Sequence, residues 1–211
     1  MSGGALERAS FEAIVVGASR GGVEALGRMV AKLPAEFPLP VLVVEHRRES
    51  SDSALAAHLA TRCALPVKEA EDKEPVAPGT VFLAPGGYHL LVERDRTLSL
   101  SVDEPMHFCR PSIDVLFETA AEAFGGQLLG VILTGSGRDG AEGLAQIVRA
   151  GGAAVVQDPH TAQAPEMPLA ALALTQPDAV LGVDEIGALL AEVGSAIGRR
   201  ARSKPREARH E

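Results

Sequence analysis

A chain of 211 residues, 46% hydrophobic and 23% charged, is long enough to bury one sizeable core and fits a single soluble domain. Aromatic residues make up only 3%, with no Trp, so the core must be aliphatic and the composition argues against a stacking platform for single-stranded nucleic acid. The net charge of −8 is uneven: residues 199–211 carry six Lys or Arg against two Glu, leaving about −12 on the rest, which argues against nucleic acid as a partner.

The elements follow from the apolar pattern. Strand-like runs recur at 13–18 (AIVVGA), 41–45 (VLVVE), 81–84 (VFLA), 129–134 (LGVILT), 153–157 (AAVVQ) and 179–183 (AVLGV). They are nearly continuous in Val, Ile and Leu, as in strands buried on both faces of a parallel sheet. Helix-like segments at 22–33, 53–62, 112–124, 140–150, 166–174 and 184–198 alternate with them. The fold class is therefore α/β: a doubly wound, mainly parallel sheet flanked by helices. Residues 88–102 (YHLLVERDRTLSLSV) break the alternation and predict an antiparallel β-hairpin addition at an edge or over one end of the sheet. Residues 1–10 are expected to be a flexible N-terminus, 11–198 the folded domain, and 199–211 a basic disordered tail.

No stretch is apolar enough to span a bilayer, and MSGGALERAS lacks the apolar segment of a signal peptide, so the expectation is a cytoplasmic protein without membrane insertion. Cys63 and Cys109 suggest neither a disulfide framework nor a zinc site. His58, His89, His107, His160 and His210 show no ligand spacing, and neither a metal nor a cofactor is expected.

Three reactive side chains fall just beyond predicted strand ends, where ligands bind in open parallel sheets: Ser19, His46 and Asp139. A nucleophile, a base and an acid that orients the base are the parts of a serine hydrolase. Each has a plainer reading. The run GASRGG around Ser19 fits a nucleophile elbow, but it also fits a phosphate cradle, with Glu45 available for a ribose, or a simple N-cap. His46 could be an ordinary satisfied histidine. Asp139 with Glu142 could cap its own helix, although the loop TGSGRDG holds more glycine than a cap needs. Such glycines let backbone N–H groups approach a substrate oxygen. Arg110, before Pro111, reads by default as a surface arginine.

The ordered motifs GASRGG, VVEHR, VFLAPGGYHLLVE, RPSIDVLFETAAEAF, GVILTGSGRDGAEG and VQDPHTAQAPEMPLAAL together resemble the catalytic domain of the CheB chemotaxis methylesterase family, over roughly residues 11–190. The resemblance implies a protein-glutamate methylesterase that hydrolyses glutamate γ-methyl esters on methyl-accepting chemotaxis receptors, releases methanol, often deamidates glutamine, and works alongside a cognate methyltransferase. It implies Ser19, His46 and Asp139 as the catalytic set, backbone N–H groups near Arg20 and Ser136 facing the oxyanion, and Arg110 near the cleft. The family usually carries an N-terminal receiver domain, so a stand-alone catalytic domain is expected. This sequence departs from the family pattern where Arg20 replaces a Thr, Ser136 a Met, and EHRRES a QHMP-like segment. Arg20 and the EHRRES segment motivate an alternative reading as a catalytically weak module that binds receptors or signalling partners, against which the intact Ser19, His46 and Asp139 count.

Overall fold

The computed structural model describes residue 6, residues 9–46 and residues 54–203 of the chain. Seven strands form one parallel sheet: β1 (Ala13–Ala18), β2 (Val41–Glu45), β3 (Val67–Glu69), β4 (Val81–Leu83), β7 (Leu128–Ile132), β8 (Ala153–Gln157) and β9 (Ala179–Leu181), in the order β3-β4-β2-β1-β7-β8-β9. Each of β1, β2, β4, β7 and β8 is buried along its whole length, as the continuous Val, Ile and Leu runs require. Edge strand β3 went unpredicted because its three residues, VKE, carry two charges and show no apolar run.

Helices α1 (Gly22–Val30), α2 (Ala54–Ala60) and α6 (Val183–Ser203) cover one face, where Leu26, Met29, Leu59, Ile186 and Leu190 meet Ile14, Val16 and Val43. On the other face α3 (Ile113–Phe124), α4 (Ala141–Arg149) and α5 (Glu166–Leu174) pack Leu116, Phe117, Leu144 and Met167 against Val15, Leu42 and Ile132. Strand alternation sends successive residues of β1 into the two cores.

The predicted hairpin exists as β5 (His89–Val92) and β6 (Leu98–Ser101), but as a two-stranded sheet of its own rather than an edge addition. Leu90, Val92 and Leu98 join the α3 core, and Val92 N–H donates to Thr119 Oγ1 at 3.2 Å. At the C-terminus α6 continues through 199–203, into the segment expected to be a disordered tail, and residues 204–211 lie outside the described residues. Of the expected flexible N-terminus, Leu6 is buried in the core.

The chain leaves β1 towards β2 and returns on the opposite side of β1 as β7. That reversal opens a crevice at the carboxyl ends of β1 and β7, the usual ligand position in doubly wound sheets.

Candidate active site

Ser19 directly follows β1, and its N–H donates to Thr134 O at 3.0 Å in the segment after β7. Gly21, with φ 80, starts α1 and no side chain caps that helix, so Ser19 is not an N-cap. A Cβ at Gly21 would stand 2.7 Å from Gln163 Oε1, so the turn needs glycine for space as well as for its dihedral. Gly17 needs glycine for a different reason: it lies within β1, and a Cβ there would collide with the Ile113 side chain.

His46 follows β2, which pairs with β1 so that Ala18 faces Glu45; the next residues on the two strands are therefore Ser19 and His46. The His46 N–H donates to Ala18 O at 3.1 Å. Ser19, Arg20, Glu45, His46, Ser136 and Gln163 line a shallow groove of about 770 Å³ over these strand ends. Thus β1, β2 and the β7–α4 loop bring Ser19, Arg20, His46 and Ser136 to one place.

Asp139 joins them from below. Its Oδ2 lies 2.7 Å from His46 Nε2. The same carboxylate accepts from Ser112 Oγ (2.8 Å), Ile113 N–H (2.7 Å) and Asp114 N–H (3.0 Å), so it caps α3 and not its own helix, whose N-cap is Gly140 at φ 94. Burial opposes charge on Asp139, which is 3% exposed, but the hydrogen bonds from His46, Ile113 and Asp114 prevail and hold its carboxyl below the usual range. Burial likewise opposes charge on His46, but the bonds to Asp139 and Cys109 outweigh it and push its pKa up to about 9. The pair is therefore a carboxylate bonded to an imidazole that readily holds a proton.

Because Asp139 takes Nε2, the ring nitrogen left for a nucleophile is Nδ1, which stands 3.6 Å from Cys109 Sγ. Sequence reasoning missed Cys109, since it and His46 are 63 positions apart. It also missed Thr134, which is buried: its hydroxyl donates to Arg20 O (3.0 Å) and accepts from Ala164 N–H (2.9 Å), while its N–H donates to Gln157 Oε1 (2.8 Å). Ser112, as a Ser ahead of an apolar helix, was the one readable signal among these residues.

Arg20 is exposed and pairs with neither Glu24 nor Glu45 among the described residues; Glu24 is held by Arg62 at 3.1 Å. Arg110 stands apart from the groove lining. Its Nη1 donates to Val102 O (2.8 Å) and Asp103 O (3.1 Å), which ties the chain leaving β6 to the start of α3. Of the histidines without ligand spacing, His58 lines the groove rim, while His89 is buried and accepts from Ser112 N–H at 3.2 Å.

The chain matches a family described as CheB methylesterase over residues 14–190. A Leptospira interrogans protein whose name includes protein-glutamate methylesterase/protein-glutamine glutaminase is 47% identical over 180 residues, 85% of this chain and 93% of that one. A Caulobacter vibrioides protein-glutamate methylesterase/protein-glutamine glutaminase is 39% identical over 191 residues, 89% of this chain and 55% of that one, so this chain spans about half its length. The crystal structure of the Thermotoga maritima CheB methylesterase catalytic domain superposes with a TM-score of 0.83 at 34% identity, covering 87% of this chain and 99% of that one. No described helix is long and apolar enough to cross a membrane. Fold and sequence agree: the chain belongs to the CheB methylesterase family, a family of carboxylic ester hydrolases.

Proposed function

We propose that this protein hydrolyses glutamate γ-methyl esters on methyl-accepting chemotaxis receptors in the cytoplasm, after a cognate methyltransferase has loaded them. The observation that carries the reading is the 2.7 Å contact between buried Asp139 and His46, which lines the same groove as Ser19. In this reading Ser19 Oγ attacks the ester carbonyl while His46 Nδ1 takes its proton, and Asp139 holds the ring through Nε2 and stabilises its charged form. The protonated ring then gives its proton to the departing methoxide. Methanol leaves a glutamyl-serine ester, which water cleaves with His46 again as base.

The oxyanion would face the backbone N–H groups of Arg20 and Ser136, both on the groove and neither donating to a backbone acceptor among the described residues. Such a donor is worth about 3 kcal/mol in the transition state of comparable sites. A glutamine amide passes through the same steps with ammonia as the leaving group, so deamidation belongs to the same reading. Arg20 supplies positive charge at the groove for an acidic receptor helix.

The test is release of labelled methanol from methylated receptors by the wild type and by Ser19→Ala. The expected result is release that disappears in the variant. Equal release by both proteins would remove Ser19 as nucleophile, and none from either, on receptors shown to be methylated, would leave a binding module.

A further inference from the structure

We propose that His46 Nδ1 and Cys109 Sγ form a two-ligand site for a thiophilic divalent cation such as zinc, and that its occupation blocks the base. A tetrahedral zinc with bonds of about 2.0–2.1 Å to nitrogen and 2.3 Å to sulfur holds its two ligand atoms about 3.6 Å apart. The two atoms stand 3.6 Å apart, which matches that span.

The far side of the ring is also prepared. A zinc-bound imidazole ordinarily donates its other N–H to a carboxylate, which fixes the tautomer and raises the basicity of the ligating nitrogen. His46 Nε2 meets Asp139 Oδ2 at 2.7 Å, and that carboxylate is itself held by three further donors. Ligand atoms from His46, Cys109 and Asp139 all lie within 4.8 Å of one another.

Cys109 is held in place by a short backbone bridge with Met106, whose O accepts the Cys109 N–H at 2.8 Å, and its side chain is partly open to solvent. Binding displaces the thiol proton and, from the charged ring, the Nδ1 proton, both of which go to solvent, and the freed Nδ1 lone pair and thiolate bind the metal; no electron transfer is involved. Two protein ligands leave two positions for water, which suits a reversible inhibitory site rather than a permanent structural one. The second cysteine, Cys63, packs against the core beneath α1, α2 and α6, and burial raises its pKa, so it serves as the control.

The inhibitory half rests on His46 being the base in the proposed esterase reaction; the binding half does not. Cobalt(II) titrated into reduced, purified protein reads binding without any substrate. A thiolate-to-cobalt charge-transfer band is expected in the wild type and in Cys63→Ser, absent in Cys109→Ser, and half-saturated at a cobalt concentration at least about tenfold higher in His46→Ala. No band in the wild type, or one that survives Cys109→Ser, overturns the site. In the second arm zinc should slow ester hydrolysis by the wild type, and half-inhibition of Cys109→Ser, relative to its own metal-free rate, should need at least about tenfold more zinc. Undiminished hydrolysis with zinc bound overturns the inhibition. A clear cobalt band on a protein that hydrolyses no ester would sustain the site and strike the esterase reading alone.

Discussion

Asp139, just ahead of α4, caps α3, and Asp114, in the first turn of α3, caps α4 in return by accepting Gly143 N–H at 2.7 Å. Two buried carboxylates thus lock two helix starts together, and one of them also holds the histidine of the site.

Replacing Asp139 with Ala should therefore act twice. It leaves the N–H groups of Ile113 and Asp114 buried without a partner, at a cost of about 2–4 kcal/mol in denaturant unfolding. It also frees the imidazole, and kcat should fall on the order of 10⁴-fold, as when a triad acid is removed elsewhere. A variant that unfolds more easily but keeps its kcat would show that Asp139 serves only the fold.

Asp114 yields a pH dependence. Burial, with the neighbouring Asp139 charge, raises its pKa from 3.8 to about 6, against the pull of the Gly143 N–H and of His107, whose Nε2 lies 3.3 Å from Asp114 Oδ2. A carboxyl with a raised folded pKa stabilises the native state below its unfolded pKa, and that contribution is lost as pH rises through about 6. Asp114→Asn, neutral throughout, should gain stability relative to the wild type by on the order of 2 kcal/mol between pH 4 and pH 7.5. Thermal unfolding at both pH values reads the difference, and a gap that stays constant would count against a raised Asp114.

Gly17 and Gly21 should respond differently. Gly17→Ala drives a methyl into Ile113 and should cost about 1–3 kcal/mol of stability, relieved when Ile113→Ala is added. Gly21→Ala strains a residue at φ 80 by about 1 kcal/mol, and its main effect should be on turnover because it reshapes the turn that carries Ser19. Unfolding and kinetics on the same preparations separate the two outcomes.

Thr134→Val preserves shape but removes the hydroxyl that joins Arg20 O to Ala164 N–H. Turnover should drop at nearly constant KM, with about 1–3 kcal/mol lost from stability through the unpaired amide. An unchanged kcat would mean that the Ser19 turn is held by its remaining bonds.

The two arginines should also part company. Arg20→Gln should raise KM and weaken the salt dependence of turnover, because its exposed guanidinium is available to an acidic substrate. Arg110→Gln should leave KM unchanged and loosen the loop after β6, seen as faster amide exchange there, because its guanidinium is spent on Val102 O and Asp103 O.

The sheet was legible because AIVVGA, VLVVE and AAVVQ are apolar but for a final Glu or Gln, and strand ends locate the reactive residues. The expected pairing of Asp139 with His46 matches their 2.7 Å contact, but the further partners of these residues were not legible. The alternative for Asp139 was a cap for the helix beside it, not for α3, since local sequence says nothing of α3 packing across its loop. Cys109 and Thr134 owe their roles to distant backbone atoms and ring nitrogens, which no periodicity reports. Gly17 drew notice as a turn residue, yet its place in β1 is governed by Ile113, 96 positions away, a matter of volume alone.

The placement of β7 against β1 divides the site between an early and a late part of the chain. β1 and β2 lie close in the chain, so Ser19 and His46 can become neighbours while synthesis is still under way, whereas Asp139 arrives only once β7 has closed on the far side of β1. In the proposed reaction the ring therefore has no carboxylate to orient it until β7 lies against β1.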